Sequence, residues 1–309
     1  MSGLWARLPV PVRRGIAGLP QSVLVTEVAR RLTGGRLRIF GFHGVDDLGH
    51  FDVLVREILR RYVPVSADEV AGSLRSGDPL PENAVWFTFD DGLASTFTAG
   101  PLLAAHGITA TAYVCPGVID RPGRLWFQTF EAALAAGLVP EAHVASMRAR
   151  LKAMPDEERR ETIARFADQL EGDRSLEEGQ TAEQVGADDL HRWVALGHTI
   201  GNHTWDHPCL DTCTEQEQEE QIVRAHEALT GWGFAATHFA YPNGNHTTRA
   251  EQVLRELDYR TGLLFDHRLT RLEHPLRLSR LRIDSDATTR RARSIASGAH
   301  SGLLHLATR

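Results

Sequence analysis

The sequence predicts an α/β protein built on a largely parallel sheet, closed or open, because short apolar segments alternate with helical patterns. The apolar segments are rich in β-branched and aromatic residues, which favour strands. Strands are predicted, in chain order, at Leu37–His43, Ala84–Asp90, Ile108–Val114, Gly197–His203, Thr237–Tyr241 and Arg260–Leu264. Helices are predicted at Phe51–Tyr62, near Ser95–His106, and at Thr214–Thr230, Thr247–Leu257 and Ala287–Ala307.

The alternation divides the chain into three regions. Residues 1–35 are predicted to be an N-terminal extension, and residues 36–309 the α/β domain. Within that domain, residues 120–186 interrupt the rhythm with a polar, mostly helical stretch. We interpret this stretch as an insertion, because it is too poor in apolar residues to form an independent core. Residues 73–82, with one glycine and two prolines, are predicted to be a loop.

Charge and composition narrow the possible partners. The 309 residues carry a formal net charge of −6, which argues against nucleic acid, since a basic footprint supplies most of that affinity. No run of about 18 apolar residues occurs, so we expect no membrane span. Met1–Gly18 lacks the apolar run of a signal peptide, and a cytoplasmic location is the expectation. Leu4–Ile16 could form a short amphipathic helix with weak membrane-surface contact, although packing on the domain is favoured.

Two adjacent carboxylates end the second predicted strand. In Phe87-Thr88-Phe89-Asp90-Asp91-Gly92, apolar residues lead to the two aspartates, and a glycine then permits a turn. Ligands of parallel α/β folds bind beyond the carboxyl ends of strands. One carboxylate could therefore ligate a metal while the other handles a proton. The alternative interpretation is structural, with Asp91 capping the following helix.

Two histidines follow a later predicted strand. His203 and His207 are four residues apart, which suits one metal if a turn or helix begins there. Two imidazoles and one carboxylate form the ligand set of a catalytic zinc-type site with an open position for water. A packed core histidine is the structural alternative, and we expect it for His198. Asp206 is expected either to orient an imidazole or to be a solvated turn residue.

The two motifs resemble, in order, separation and strand context, the first two motifs of the polysaccharide deacetylase family. This family, the NodB-homology domain, is similar to carbohydrate esterase family 4. The similarity covers roughly Arg36 to Asp286. It implies a distorted parallel (β/α)7 barrel with a helical insertion. It also implies a divalent metal, Zn²⁺ first with Co²⁺, Fe²⁺ or Ni²⁺ as alternatives. The implied roles are general base for Asp90 and metal ligand for Asp91, His203 and His207.

A third motif of the family matches residues 239–244, Phe-Ala-Tyr-Pro-Asn-Gly. In the family a backbone amide here helps to bind the oxyanion, and by position that amide would belong to Asn243. Tyr241 is carried over as a neighbouring substrate-site residue.

The family often places an arginine two residues before the motif's proline, where it pairs with the base. That position is Ala240 in this sequence, so another residue must hold the charge of Asp90. Arg280 and Arg282 are the candidates, and we favour Arg280. An ordinary surface ion pair is the alternative.

The general acid is the least defined group. The first predicted strand ends at Gly41-Phe42-His43, and the related exopolysaccharide deacetylases have a similar histidine facing the site. His43 is therefore predicted to be catalytic, with packing as the alternative. The family's last motif carries an acid histidine, which the segment around His305 resembles only weakly, and water is a third candidate. Cys209 and Cys213 are expected to be buried thiols rather than further ligands.

The resemblance implies a hydrolase that removes an N-acyl group, expected to be acetyl, from an amino sugar or an amino-sugar glycan or conjugate. Asp90 would act as base on a water activated by the metal. Three alternatives stay open. The chain could be a deformylase or deacetylase of a lipid- or nucleotide-linked sugar, or a catalytically silent carbohydrate-binding barrel. A phosphoryl-transfer or nuclease site is disfavoured by the acidic charge and the lack of a glycine-rich phosphate loop. Oligomeric state is not predicted.

Overall fold

A computed structural model of the chain describes residues 22–120, 124–172 and 185–300. Strands within these residues share one sheet, in which every pairing is parallel. They are β1 (Arg38–Phe42), β2 (Val63–Pro64), β3 (Ala84–Phe89), β4 (Thr111–Val114), β5 (Thr199–Asn202), β6 (His238–Ala240), β7 (Thr261–Leu263) and β8 (Leu281–Arg282).

Helices connect successive strands up to β7, as parallel neighbours require, whereas the residues between β7 and β8 contain no α-helix. The α-helices are α1 (Val23–Leu32), α2 (Leu48–Leu59), α3 (Ala67–Ser76), α4 (Ala94–Thr98), α5 (Gly100–Ala105), α6 (Trp126–Ala135), α7 (Val144–Ala153), α8 (Asp156–Gly172), α9 (Ala187–Ala195), α10 (Glu215–Gly231), α11 (Thr248–Glu256) and α12 (Thr289–Ala296). None of the described helices is long and apolar enough to span a membrane.

The sheet has the order β7-β6-β5-β4-β3-β1-β8, with β2 beside the start of β3. Its two edges meet at the segment that leads into β8. Leu278 bridges to Leu263 of β7, while Leu281 pairs with Phe40 of β1. The sheet therefore curls into a barrel with helices around it, and the predicted distorted (β/α)7 barrel is confirmed.

Side-chain alternation along β3 decides what faces the barrel interior. Phe87 and Phe89 belong to the apolar layer that packs beneath the helices. Because strand residues alternate between faces, Trp86, Thr88 and the next residue of that parity, Asp90, face inward. The backbone N–H of Asp90 still donates to the carbonyl of Phe42 at 2.9 Å, so the pairing of β1 and β3 positions this aspartate.

The helical prediction for the insertion is confirmed in its described residues, which form α6, α7 and α8. The expectation that it lacks apolar residues for a core needs correction. The insertion has a small apolar cluster of its own, formed by Phe130, Val139, Leu151, Met154 and Ile163. Trp126 and Phe166 pack against this cluster.

Three local predictions differ from the structure. The predicted loop 73–82 overlaps α3, which begins with a capping box at Ser66 and Glu69 and ends at Gly77, whose φ is 80°. The helix predicted near Ser95–His106 is broken into α4 and α5, and Pro101 accounts for the break because it lacks a backbone N–H. The last predicted helix is interrupted after Ala296, where Gly298 has a φ of 80°, and residues 299–300 are helical again.

The predicted N-terminal extension is described in part. Helix α1 lies within it, and Thr33, which caps this helix, donates to the carbonyl of Ser297 at 3.3 Å. The division into residues 1–35 and 36–309 stays a prediction. The possible amphipathic helix at Leu4–Ile16 and the candidate acid His305 lie outside the described residues.

One close approach inside the barrel is testable. A Cβ atom at Gly41 would lie 2.3 Å from the ring of Phe265. We expect Gly41→Ala to lower the free energy of unfolding by roughly 1–3 kcal/mol, because it overpacks this contact. Gly72, in α3, has open space around its Cα, so Gly72→Ala should raise the same quantity by about 0.5–1 kcal/mol. Urea unfolding measures the free energy of unfolding of both variants. Equal changes in the two variants would contradict the prediction.

Candidate active site

The predicted site residues follow directly after neighbouring strands. His43 follows β1, Asp90 and Asp91 follow β3, His203 follows β5, and Asn243 lies in the short 3₁₀ turn after β6. Since all these strands are parallel, their carboxyl ends lie at one end of the barrel. The topology therefore explains how residues far apart in sequence reach one pocket.

The two aspartates converge although they are adjacent in the chain. Asp91 has a φ of 72° and Gly92 a φ of 71°, so the chain leaves β3 through left-handed backbone. That turn brings the Asp91 carboxylate to the side already faced by Asp90. Each aspartate is only 4% exposed. For a residue with a Cβ atom this conformation is uncommon, and such backbone often marks functional sites.

The charge of Asp90 is balanced by Arg280. The guanidinium donates two hydrogen bonds to the carboxylate, Nη1 to Oδ1 at 2.6 Å and Nη2 to Oδ2 at 2.8 Å. Arg280 is 0% exposed, and its Nε donates to the carbonyl of Leu264 at 2.8 Å. Burial raises the pKa of Asp90, but Arg280 and His203 together hold it below its usual range. The carboxylate is therefore ionised at neutral pH.

Three side chains that were not singled out from the sequence also stabilise Arg280. The guanidinium lies 4.7 Å from the ring centroid of Phe265 and 5.9 Å from that of Tyr113. Aromatic faces at such distances stabilise a cation. Nη1 also lies 3.3 Å from Oγ1 of Thr88. Thr88 and Asp90 lie two residues apart and so face the same side of the sheet. This alternation is the sequence signal that could have identified Thr88 as a neighbour of Arg280.

Three ligand atoms converge beside this ion pair. Asp91, His203 and His207 each offer one atom within 4.8 Å of the others, and all three residues are buried. The Oδ1 atom of Asp91 lies 3.5 Å from Nε2 of His203 and 3.4 Å from Nε2 of His207. No hydrogen-bond donor satisfies this buried oxygen. One carboxylate and two imidazoles at these separations fit a zinc-type ion with an open position.

Electrostatics around the three ligands also suits a cation. Burial raises the pKa of Asp91, but the neighbouring histidines lower it by a larger amount. The pKa of Asp91 therefore lies well below its usual range. Burial lowers the pKa of His207 to about 4, so its ring is neutral near pH 7. Burial also lowers the pKa of His203, but the two aspartates more than offset this and raise it. The carboxylates thus favour positive charge where the three ligand atoms meet.

The ring of His203 is held in one tautomer. Its Nδ1 lies 2.7 Å from the carbonyl of Ala240, so that nitrogen carries the proton and donates. The Nε2 atom is then directed toward the aspartates, and in its deprotonated form it can bind a cation. Hydrogen bonding of the second ring nitrogen is how metal-binding histidines are usually oriented. Ala240 occupies the position where the family often has an arginine, and its backbone carbonyl helps to orient His203.

A tight loop rather than a helix carries His207. Thr204 has a φ of 69° and His207 a φ of 62°. The N–H of Thr204 donates to Oδ1 of Asn202 at 2.7 Å, and the N–H of His207 donates to Oγ1 of Thr204 at 3.1 Å. From α10, Oε1 of Gln221 accepts the N–H groups of Trp205 and Asp206 at 3.1 Å and 3.2 Å. These hydrogen bonds hold the loop in a shape that directs the rings of His203 and His207, four residues apart, toward one point.

Two other predicted site residues lie at the same end of the barrel. His43 is half-buried, and its ring centroid is 5.7 Å from that of Phe265. It lies near enough to Asp90 and Asp91 for its charge to lower the pKa of each. Asn243 has a φ of 55°, and its Nδ2 donates to the thiol of Cys209 at 3.6 Å.

The side chain of Tyr241, a predicted substrate-site residue, is not brought together with the ligand atoms. Its ring is fully buried in the apolar layer between β6 and α11, with ring centroids 5.0 Å from Phe239 and 5.4 Å from His246. Alternation along the chain explains this, because Ala240 faces the barrel interior and Tyr241 faces the opposite side.

The remaining assignments are structural. His198 accepts the N–H of Ala110 at Nδ1, and its Nε2 lies 2.9 Å from the carbonyl of Gly100, as expected of a core histidine. Asp206 forms an ion pair with Arg160 of α8 instead of contacting an imidazole. Burial raises the pKa of Cys209, and it raises that of Cys213 to about 12, so both thiols stay protonated.

The buried ion pair yields a stability prediction. We expect Arg280→Met to lower the free energy of unfolding by about 3–5 kcal/mol, because Asp90 would be left buried without a partner. Arg282→Met removes an exposed pair with Asp284 and should change it by about 0.5 kcal/mol or less. Denaturant unfolding at neutral pH measures both. Equal losses would show that Arg280 is not the special partner of Asp90.

Comparisons with known proteins identify the family and the fold of the chain. The family model described as polysaccharide deacetylase matches residues 77–262, more than half of the chain. A chitooligosaccharide deacetylase of Azorhizobium caulinodans is 40% identical over 67 residues, which are 21% of this chain and 31% of that relative. That match therefore spans about a third of the relative's length. The Streptococcus pyogenes deacetylase PplD, solved in complex with acetate, matches with a TM-score of 0.58 and 17% identity over 82% of this chain and 95% of its own. IcaB from Ammonifex degensii matches with a TM-score of 0.58 and 18% identity, over 86% and 97% of the two chains. The chain belongs to the polysaccharide deacetylase family.

Proposed function

We propose that this chain is a metal-dependent hydrolase that removes an N-acetyl group from an amino sugar or an amino-sugar glycan. The observation that carries the proposal is the pairing of two buried features at one end of the barrel. One is the ligand set Asp91, His203 and His207. The other is the ionised carboxylate of Asp90, held by Arg280. Amide hydrolysis requires both an electrophilic centre and a base, and these features supply the two sites.

The ligand set is proposed to hold Zn²⁺, with Co²⁺, Fe²⁺ or Ni²⁺ as alternatives. When bound, such an ion lowers the pKa of a water molecule and polarises an acyl carbonyl. The chain itself supplies the neutral imidazole of His207 and the ionised carboxylate of Asp91, which are the forms that bind a cation.

Asp90 is the proposed general base. Its Oδ2 lies 3.9 Å from Nε2 of His203, beside the ligand atoms, so it can reach a water held there. As the water oxygen bonds to the acyl carbon, Asp90 takes a proton from it. Arg280 occupies both carboxylate oxygens with charge-assisted hydrogen bonds and so fixes their orientation.

The other steps need an oxyanion donor and an acid. We assign the first to the backbone N–H of Asn243, at the turn after β6. Cleavage of the carbon–nitrogen bond then requires a proton on the departing amine. We assign this proton to His43, which is half-buried near both aspartates, with water and His305 as the alternatives. The products are acetate and a free amino sugar.

The substrate proposed first is an oligomer of N-acetylglucosamine. The Azorhizobium relative is a chitooligosaccharide deacetylase, which supports an N-acetylglucosamine oligomer as the first probe. Deformylation, or a lipid- or nucleotide-linked sugar, would use the same residues. A catalytically silent carbohydrate-binding barrel is disfavoured, because sugar binding does not require a buried ion pair beside a buried Asp91 oxygen that no donor satisfies.

The proposed role of Asp90 as the base can be tested by measuring hydrolysis. We expect the Zn²⁺-loaded protein to release equal amounts of acetate and free amine from N-acetylglucosamine oligomers. Asp90→Asn should lower kcat on the order of 10²- to 10⁴-fold, because proton transfer is lost. Formylated oligomers assayed in parallel separate deacetylase from deformylase. Sugar binding without release of acid or amine from either probe would identify a silent binding barrel instead.

The metal content of ligand variants tests the proposed ligand set. We expect wild type to bind about one divalent ion per chain, and chelation to abolish hydrolysis until the ion is restored. Asp91→Asn and His203→Gln should each bind less metal at the same free concentration. His191, which is exposed on α9, offers the control His191→Gln with unchanged metal content. Unchanged stoichiometry in both ligand variants, measured by elemental analysis, would refute the ligand assignment.

A further inference from the structure

We propose that the helical insertion orients the metal ligand His207, through Trp126 and Phe127 at the start of α6. The insertion would then help to determine how tightly the ligand set binds a metal ion. This inference rests on the ligand set proposed above. It concerns a positioning role, since neither residue belongs to the ligand set.

The two candidate histidines are held differently. His203 has its second ring nitrogen fixed by the carbonyl of Ala240 at 2.7 Å. The Nδ1 atom of His207 is buried without any hydrogen-bond partner. A ligating histidine usually depends on such a partner for its ring orientation. The ring of His207 must therefore be oriented by packing and by its backbone.

The insertion supplies both constraints. The indole Nε1 of Trp126 donates to the backbone carbonyl of His207 at 2.9 Å. The ring of Phe127 meets the imidazole of His207 edge-on, with centroids 5.0 Å apart and planes at 72°. One residue thus fixes the backbone and the next fixes the ring. His207 needs this support because its φ of 62° lies in the left-handed region.

The insertion is itself anchored to the ligand loop. Arg160 of α8 donates to both carboxylate oxygens of Asp206, at 2.8 Å and 3.2 Å. Arg159, one residue earlier, donates to Thr212 at 3.3 Å, and its guanidinium lies 5.5 Å from the ring centroid of Trp126. Helix α8 therefore contacts the loop on both sides of His207, and α6 contacts His207 itself. The position of the imidazole follows the position of the insertion.

The experiment measures metal binding directly. Trp126→Phe removes the N–H donor and keeps an aromatic ring, and Phe127→Leu removes the ring edge. We expect each to raise the Kd for Zn²⁺ about 10- to 100-fold, which is the usual effect of losing an orienting partner. The affinity is measured by competition with a chromophoric chelator. At saturating Co²⁺, the visible absorption spectrum of each variant should also differ from that of wild type, because ligand geometry changes.

Two further variants separate positioning from general destabilisation. Phe127→Tyr keeps the ring and should retain the wild-type Kd and spectrum. Phe166 packs on Phe130 in the same insertion, with centroids 6.1 Å apart, so Phe166→Leu disturbs the insertion without removing a contact to His207. It should leave the Kd within about twofold while lowering the unfolding midpoint of the metal-free protein.

The outcomes are distinguishable from failure of the proposed function. If wild type binds no divalent ion, the ligand assignment itself is wrong. If wild type binds Zn²⁺ while Trp126→Phe and Phe127→Leu keep its Kd and its Co²⁺ spectrum, the positioning role is overturned. An equal loss of affinity in Phe166→Leu would also overturn it, because the effect would then reflect only the stability of the insertion.

Discussion

A guanidinium group removed from water must find a counter-charge and several acceptors, or the fold that buries it is strongly destabilised. Arg280 meets this requirement with the carboxylate of Asp90, the carbonyl of Leu264, and two aromatic faces. Its position is fixed by the segment from Leu278 to Leu281, which joins the two edges of the sheet. Barrel closure and the charge state of the proposed base therefore depend on the same short stretch of chain.

The neighbouring ligand set depends on that arrangement. Asp90 and Asp91 are adjacent carboxylates in one buried pocket, and their negative charges would repel if both were left uncompensated. Arg280 neutralises the first. The second is left with a buried oxygen that has no donor, between two imidazole nitrogens. This division separates the residue proposed to move a proton from the residues proposed to hold an ion.

The sequence predicted what local patterns encode. The pairs Asp90–Asp91 and His203–His207 stand at strand ends, and parallel topology brings strand ends together. Arg280 could be named only as one of two candidates, because sequence does not show which arginine lies inside the closing segment. For Tyr241, the motif match gave a position along the chain but not the direction of the side chain, which is buried in the outer apolar layer. The helix α3 was missed although its capping box at Ser66 and its terminal Gly77 were readable signals.

Contacts between distant segments could not be predicted in the same way. Phe265 lies beside His43 and Arg280 through packing that no spacing in the chain records. The contacts of Trp126 and Phe127 with His207 arise from an insertion that carries no recognisable motif. Both cases depend on how a connecting segment folds back over the barrel. Variation in such segments gives one scaffold different site surroundings while its strand-end motifs stay fixed.

The ion pair between Asp90 and Arg280 joins residues 190 positions apart in the chain. During synthesis, β3 and its two aspartates leave the ribosome long before the segment that carries the arginine. Contacts of such large sequence separation form late, since the closure entropy of the whole intervening loop must be overcome first. The pocket consequently cannot acquire its balanced charge until the segment that leads into β8 docks. A chain interrupted before residue 278 would keep both carboxylates and both histidines yet lack the arginine, so the native charge balance of this site is a property of the finished polypeptide.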